Sequence, residues 1–179
     1  MTSELSIPFQ FEEIAGIHRD REPVSFGVPF PKGRLNDLSG LTVNIDGEPT
    51  AHTAKTLNTW SDGSVKWALL NMQATIAASA SVSAEISHKE TNNPVHHNQP
   101  VVVEEKKDAF YVSTGGFNVD IDRNTFKPFS RIQIGGEKIL DDVGSLTKVK
   151  DASGVGLIPI VQKSYIESHD ELKAVLSGI

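Results

Sequence analysis

The chain has 179 residues, of which 38% are hydrophobic, and it carries 17 basic and 23 acidic side chains for a formal net charge of −6. This length and composition predict a globular protein with a real core, in one large domain or two small ones. The acidic balance argues against nucleic-acid and anionic-membrane partners, because either would favour a concentrated basic face. The absence of cysteine excludes disulfides, thiolate metal sites and a thiol nucleophile.

The first twenty residues lack the basic-then-apolar pattern of a signal peptide, since Glu4, Glu12 and Glu13 interrupt them. The chain as written therefore favours a cytoplasmic location. No segment approaches the roughly 20 apolar residues that a membrane helix requires, so the sequence predicts a soluble protein.

Apolar and polar residues alternate with a period of two in several segments. This pattern predicts half-buried strands of a mostly antiparallel, all-β fold. Turns rich in glycine separate the segments, and helical periodicity is close to absent. The clearest strand segments are residues 42–45, 64–70, 81–86 and 117–122.

The segment 88–100 contains three histidines, two prolines and little that could be buried, which is typical of a linker. We therefore predict one all-β unit over residues 1–92, a linker over 93–100 and a second unit over 101–179. Residues 171–179 alternate like a strand and have no polar tail. This ending predicts that the second unit is truncated and that the chain is the N-terminal piece of a longer protein.

Two motifs stand apart in the first unit. Residues 19–33 are punctuated by three prolines and two glycines, which favours an extended, interrupted segment. The second motif is Trp60-Ser61-Asp62-Gly63-Ser64-Val65-Lys66-Trp67, in which Asp62-Gly63 predicts a two-residue hairpin with glycine at positive φ. Asp62 is interpreted as a turn former that bonds its own backbone, not as an acid catalyst.

Together the two motifs resemble the N-terminal region of exo-acting rhamnogalacturonan lyase-like proteins, a group of polysaccharide lyases that cleave at uronic acids. The resemblance implies a small swapped-hairpin, RIFT-type barrel followed by part of an antiparallel β-sandwich. It also implies two partners in the parent chain, the rest of the sandwich and a C-terminal α/α toroid. The toroid and its junctions would supply the catalytic cleft, so the resemblance assigns no catalytic residue to this piece.

The expected function is that of a non-catalytic N-terminal module that supports the catalytic region of a carbohydrate-active protein. Two alternatives stay open. One is a carbohydrate-binding module for acidic polysaccharide, and the other is a purely structural or assembly domain. A self-sufficient small lyase is the least favoured interpretation, because no set of acid, base and neutralising cation can be named.

Elimination from a uronate requires a base for the C5 proton, an acid for the leaving oxygen and a cation or metal for the carboxylate. The residues of suitable type have no diagnostic spacing, so the catalytic residues stay unknown. Charged clusters are usually solvated faces, and the segment around residue 20 is interpreted as a solvated loop or strand edge that retains three candidates for substrate binding. Those candidates are His18, Arg19 and Arg21. The tyrosines considered for a role in the elimination are Tyr111 and Tyr165.

The two tryptophans offer a further binding hypothesis, since sugar-binding modules stack pyranose rings on exposed indoles. Alternation places Trp67 on the same face as Val65 and Leu69, which predicts that Trp67 belongs to the core. Trp60 lies beside the turn, where alternation does not decide its exposure. Trp60 is therefore the tryptophan proposed for substrate binding.

The sequence predicts neither a metal site nor a cofactor. His96 and His97 are adjacent, and on an extended chain their side chains point in opposite directions, so a linker explains them better than a metal site. The acidic residues that could chelate calcium lack the spaced ligand loop that calcium requires. These are Asp120, Asp122, Asp141 and Asp142.

Overall fold

The computed structural model describes residues 5–89, 94–127, 129–141, 148–157 and 159–179. Within these residues the fold is all-β, built from antiparallel sheets, and the fold class predicted from the sequence is confirmed. None of the described residues forms a helix that could span a membrane. The chain divides into two compact units, residues 1–97 and 98–179. The narrower assignment of a linker to 93–100 stays a prediction.

The first unit consists of two antiparallel sheets, one of four strands in the order β1-β7-β3-β4 and one of three strands in the order β2-β6-β5. The second sheet is centred on the longest strand, β6, which pairs on both sides. The strands are β1 Ser6–Glu12, β2 Arg19–Pro29, β3 Leu41–Ile45, β4 Glu48–Pro49, β5 His52–Thr59, β6 Val65–Ile76 and β7 Ser81–His88.

The apolar faces of both sheets enclose one core. On β6 every second residue from Ala68 to Ile76 is buried, as a strand with one face on a core requires. Leu41 and Val43 of β3 and Ile86 of β7 supply the other side of this core. Phe9, Phe11 and Phe26 pack edge-on or tilted against one another beside it, with ring centroids 5.2–6.0 Å apart.

The prediction that Trp67 belongs to the core is wrong. Its side chain is 41% exposed, whereas Val65 and Ala68 are buried. The cause is an irregularity in the β5–β6 pairing, where the single step from Asn58 to Thr59 on β5 opposes two steps on β6, from Trp67 to Val65. A bulge of this kind changes which residues face the core, so the alternation that starts at Val65 does not continue through Trp67. Trp67 and Leu69 share the outer face.

The second unit contains a five-stranded antiparallel sheet in the order β12-β11-β10-β9-β8 and two separate hairpins, β13–β14 and β15–β16. Phe110 of β9 and Val119 of β10 are its buried apolar side chains among the described residues. The strands are β8 Val102–Glu105, β9 Ala109–Ser113, β10 Phe117–Asp122, β11 Arg131–Ile134, β12 Glu137–Leu140, β13 Val149–Lys150, β14 Gly156–Leu157, β15 Ser164–His169 and β16 Ala174–Gly178.

Candidate functional site

The charged cluster around residue 20 lies at one end of the three-stranded sheet. His18 is exposed and directly precedes β2. Arg19 begins the strand, pairs with Ile76 of β6, and places a guanidinium nitrogen 3.5 Å from a carboxylate oxygen of Glu13. Arg19 is thus half-buried and already has an anionic partner within the barrel.

Arg21 occupies an irregular point of β2. Its φ is +49°, and the pairing of β2 with β6 shifts between Arg19 and Glu22. The backbone N–H of Arg21 donates to the hydroxyl of Thr75 at 3.0 Å, while the side chain lies in solvent with Asp20 at 3.9 Å. The bulge directs this guanidinium outward, away from the core face of the sheet.

Glu13 is the polar residue of this region that the sequence analysis missed. Its carboxylate is buried and accepts three backbone hydrogen bonds, each 3.0 Å long, from the N–H groups of Ala15, Ile17 and Ser79. The bond from Ser79 is the main cause that lowers the pKa of Glu13 to about 2. Glu13 therefore joins the segment after β1 to the turn before β7. It also lines a cleft with Arg19.

The structure does not bring the predicted candidates together. Pairing of β2 with β6 places Arg19 opposite Ile76 and Pro29 opposite Trp67. The ten residue steps between these pairs correspond to about 30 Å along the strand. Trp60 lies at the Trp67 end, so the arginine cluster and the tryptophan sit at opposite ends of the same sheet.

Trp60 is half-buried and held by two contacts. Its indole N–H donates to the carbonyl oxygen of Phe30 at 3.0 Å, and the ammonium of Lys66 lies over the ring, 4.6 Å from its centroid. The polar group that a sugar-binding indole offers to its ligand is thus used within the barrel. One face of the ring is also occupied by a cation.

The turn between β5 and β6 has three residues, not the two predicted from Asp62-Gly63. Trp60 and Ser64 close it, since the N–H of Trp60 donates to the carbonyl of Ser64 at 2.8 Å. The N–H of Gly63 then donates back to the carbonyl of Trp60 at 3.0 Å, with φ of Gly63 at +87°. The positive φ was predicted correctly. The extra residue belongs to the three-residue hairpin class, in which glycine takes the last loop position.

Asp62 and Ser64 connect this hairpin to the proline-rich motif. One carboxylate oxygen of Asp62 accepts from the backbone N–H of Ser64 at 3.1 Å and from its hydroxyl at 2.6 Å, which together lower the pKa of Asp62. The same hydroxyl oxygen accepts from the N–H of Gly33 at 2.8 Å. The interpretation of Asp62 as a turn former agrees with these bonds. The two motifs are therefore two sides of one hydrogen-bonded corner.

Replacement of Ser64 by alanine tests this corner. Ser64 is buried, and its loss leaves the Gly33 N–H without its acceptor and Asp62 without its hydroxyl donor. We expect Ser64→Ala to lower the free energy of unfolding by about 1–3 kcal/mol. Ser61→Ala, at an exposed position of the same loop, is the matched control and should change it by less than about 0.5 kcal/mol. Equal effects in urea unfolding of the two variants would contradict the assignment.

In the second unit, those residues considered for catalysis or metal binding that the structure describes have protein partners. The ammonium of Lys106 lies 4.6 Å from the ring centroid of Tyr111, and that of Lys163 lies 5.3 Å from the ring centroid of Tyr165. Asp120 is hydrogen-bonded to Arg131. Among the described residues, no three or more metal-binding side chains cluster. Asp142 lies outside the described residues.

Residues 13–88 match the family model described as the PcRGLX-like N-terminal RIFT barrel domain. The barrel of the first unit is therefore similar to that domain. The match covers both motifs, so the resemblance inferred from those motifs is confirmed for the barrel. No curated protein matches the chain.

Proposed function

We propose that this chain is a non-catalytic N-terminal β module of a polysaccharide lyase-like, carbohydrate-active protein, and that it supports a catalytic region contributed by other domains of a parent chain. The observation that carries the proposal is the RIFT barrel domain over residues 13–88, whose family description places it at an N-terminus. The polar groups of the barrel agree with a supporting role, because Glu13, Trp60 and Ser64 all bond within it.

The distribution of apolar surface also supports this proposal. Among the described residues, every buried apolar side chain except Phe110 and Val119 lies in the first unit. The second unit instead exposes many large apolar side chains, which is typical of surfaces that dock another domain. The side chains that are more than half exposed are Ile134, Ile139, Val155, Leu157, Ile160 and Ile179. We infer that further β-sandwich strands and the α/α toroid of the parent chain cover this surface.

An ultraviolet assay for unsaturated uronate tests the supporting role. The chain alone, the parent protein, and the parent protein without residues 1–97 would be compared on rhamnogalacturonan and on other acidic polysaccharides. We expect product from the parent protein, none from the chain alone, and a loss of folding or activity when the barrel is removed. Product from the chain alone, or full activity after clean removal of the barrel, would overturn the proposal.

Binding of acidic polysaccharide is the second candidate function. The observation that favours it is the exposure of Trp67, because a large indole on the outside of a sheet is available to a ligand. The predicted binding residue Trp60 is engaged by Phe30 and Lys66 instead.

A further inference from the structure

The indole of Trp67 lies across the outer face of the three-stranded sheet, over Gly27. A Cβ atom at Gly27 would be 3.6 Å from two ring carbons of Trp67, which is ordinary van der Waals distance, so the ring lies directly over this glycine. Trp67 pairs with Pro29 on one side and with Asn58 on the other, and both neighbours are exposed. One face of the ring thus packs on the sheet, and the other face is exposed.

Polar side chains lie on the same outer face of the sheet as this ring. Lys55 is paired with Leu69, two residues beyond Trp67 on β6, and its side chain is exposed. Farther along, Ser25 donates to the side-chain oxygen of Asn71 at 2.7 Å, and the Asn71 amide donates to Thr53 at 3.1 Å. Four residue steps separate Trp67 from this polar row, a distance of about 13 Å.

The charge of the outer face differs from that of the whole chain. The paired outward positions from Pro23 to Pro29 on β2, from Thr53 to Asn58 on β5, and from Trp67 to Gln73 on β6 include no carboxylate. Lys55 is the charged residue among these described positions. In a chain of formal net charge −6, this face would attract an anionic ligand more than its surroundings do.

We propose that Trp67 is the stacking platform of a binding site for an acidic glycan. The apolar face of a pyranose ring packs on the indole, and Lys55 forms an ion pair with a carboxylate of the same glycan. The proposal rests on the carbohydrate-active role proposed above and adds to it a site and a ligand class. A flat aromatic surface with a cation and hydrogen-bonding side chains on the same face of the sheet has the composition that a sugar acid requires, since its ring offers an apolar face and polar edges.

Isothermal titration calorimetry of the whole chain tests this site with two probes, the hexamer of galacturonate and neutral maltohexaose. Trp67→Ala is expected to weaken binding of the galacturonate hexamer about tenfold, because the stacking surface is lost. Lys55→Gln is expected to weaken binding of the same probe about threefold, and to leave the affinity for maltohexaose unchanged. The effect of Lys55→Gln should shrink at high salt, as screening predicts.

Ile14→Ala is the matched control, since Ile14 is 90% exposed and lies on the segment beside Arg19, far from Trp67. It should bind the galacturonate hexamer like the wild type, and circular dichroism melting should show that every variant is folded. Absence of binding by the wild-type chain, or wild-type affinity in Trp67→Ala, would overturn the proposed platform. Neither result bears on the uronate-release assay, so failure of the platform and failure of the supporting role can be told apart.

Discussion

Replacement of Trp60 by alanine is expected to lower the free energy of unfolding by about 2–4 kcal/mol. The variant removes the hydrogen bond from the indole N–H to the Phe30 carbonyl and the ring beneath the Lys66 ammonium. Truncation of a core aromatic side chain costs about 3–5 kcal/mol, and a half-buried one costs less. Urea unfolding followed by far-ultraviolet circular dichroism measures the change without relying on tryptophan emission.

Two further variants show whether the loss of unfolding free energy is specific to Trp60 and which of its contacts causes it. Trp60→Phe keeps an aromatic ring but removes the N–H donor, so it should cost about 1–2 kcal/mol. Trp67→Ala removes an indole that is 41% exposed on the outer face, and it should cost less than about 1 kcal/mol. A larger loss in Trp67→Ala than in Trp60→Ala would mean that the two tryptophans had been assigned the wrong roles.

The strands of the first unit could be predicted because alternation is a local property of the sequence. The predicted segments 42–45 and 81–86 lie within β3 and β7, and the predicted segment 64–70 overlaps the start of β6. The exposure of Trp67 could not be predicted in this way. The pairing of β5 with β6 is irregular between Thr56 and Thr59, and the amino-acid composition gives no sign of this bulge. One irregular position is enough to reverse which side of a strand faces the core.

The importance of Glu13 was missed for a different reason. A search for catalytic carboxylates looks for other charged or polar side chains at a characteristic spacing. The partners of Glu13 are backbone N–H groups of Ala15, Ile17 and Ser79, and Ser79 is 66 residues away. Any residue except proline can supply such donors, so the sequence carries no specific signal for them. The only local hint is a carboxylate two to four residues before a glycine-containing turn.

The two motifs indicated a family before the physical reason for their joint occurrence was known. Their residues identified a family, but the reason for their joint occurrence became apparent from the bond between the Ser64 hydroxyl and the Gly33 N–H. Gly33 has a φ of +72°, a conformation that favours glycine, and Ser64 is buried beside it. Distance along the chain hides such a pair from any argument based on local periodicity. The same corner explains why Trp60, predicted as a ligand contact, bonds to Phe30.

The acid limb of the stability curve is expected to depend on Glu13. The pKa of this carboxyl is lowered in the folded chain from 4.5 to about 2. A group with a depressed folded pKa contributes stability that is complete above its unfolded pKa and is lost as the pH falls through the folded one. The contribution of Glu13 should therefore be present above about pH 4.5 and should disappear between pH 4.5 and pH 2. Melting temperatures measured from pH 7 to pH 2 give this curve.

Glu13→Gln should lower the melting temperature by several degrees at pH 6, because its amide group faces N–H donors that require an acceptor. Between pH 4.5 and pH 2 the variant should lose stability less steeply than the wild type. Some slope should persist, since hydrogen bonds also lower the pKa of Asp37, Asp62 and Asp151. Glu12→Gln, at the exposed neighbouring position, is the control and should retain the wild-type curve. Parallel curves for Glu13→Gln and the wild type below pH 4.5 would show that the Glu13 carboxylate does not join the two segments as described.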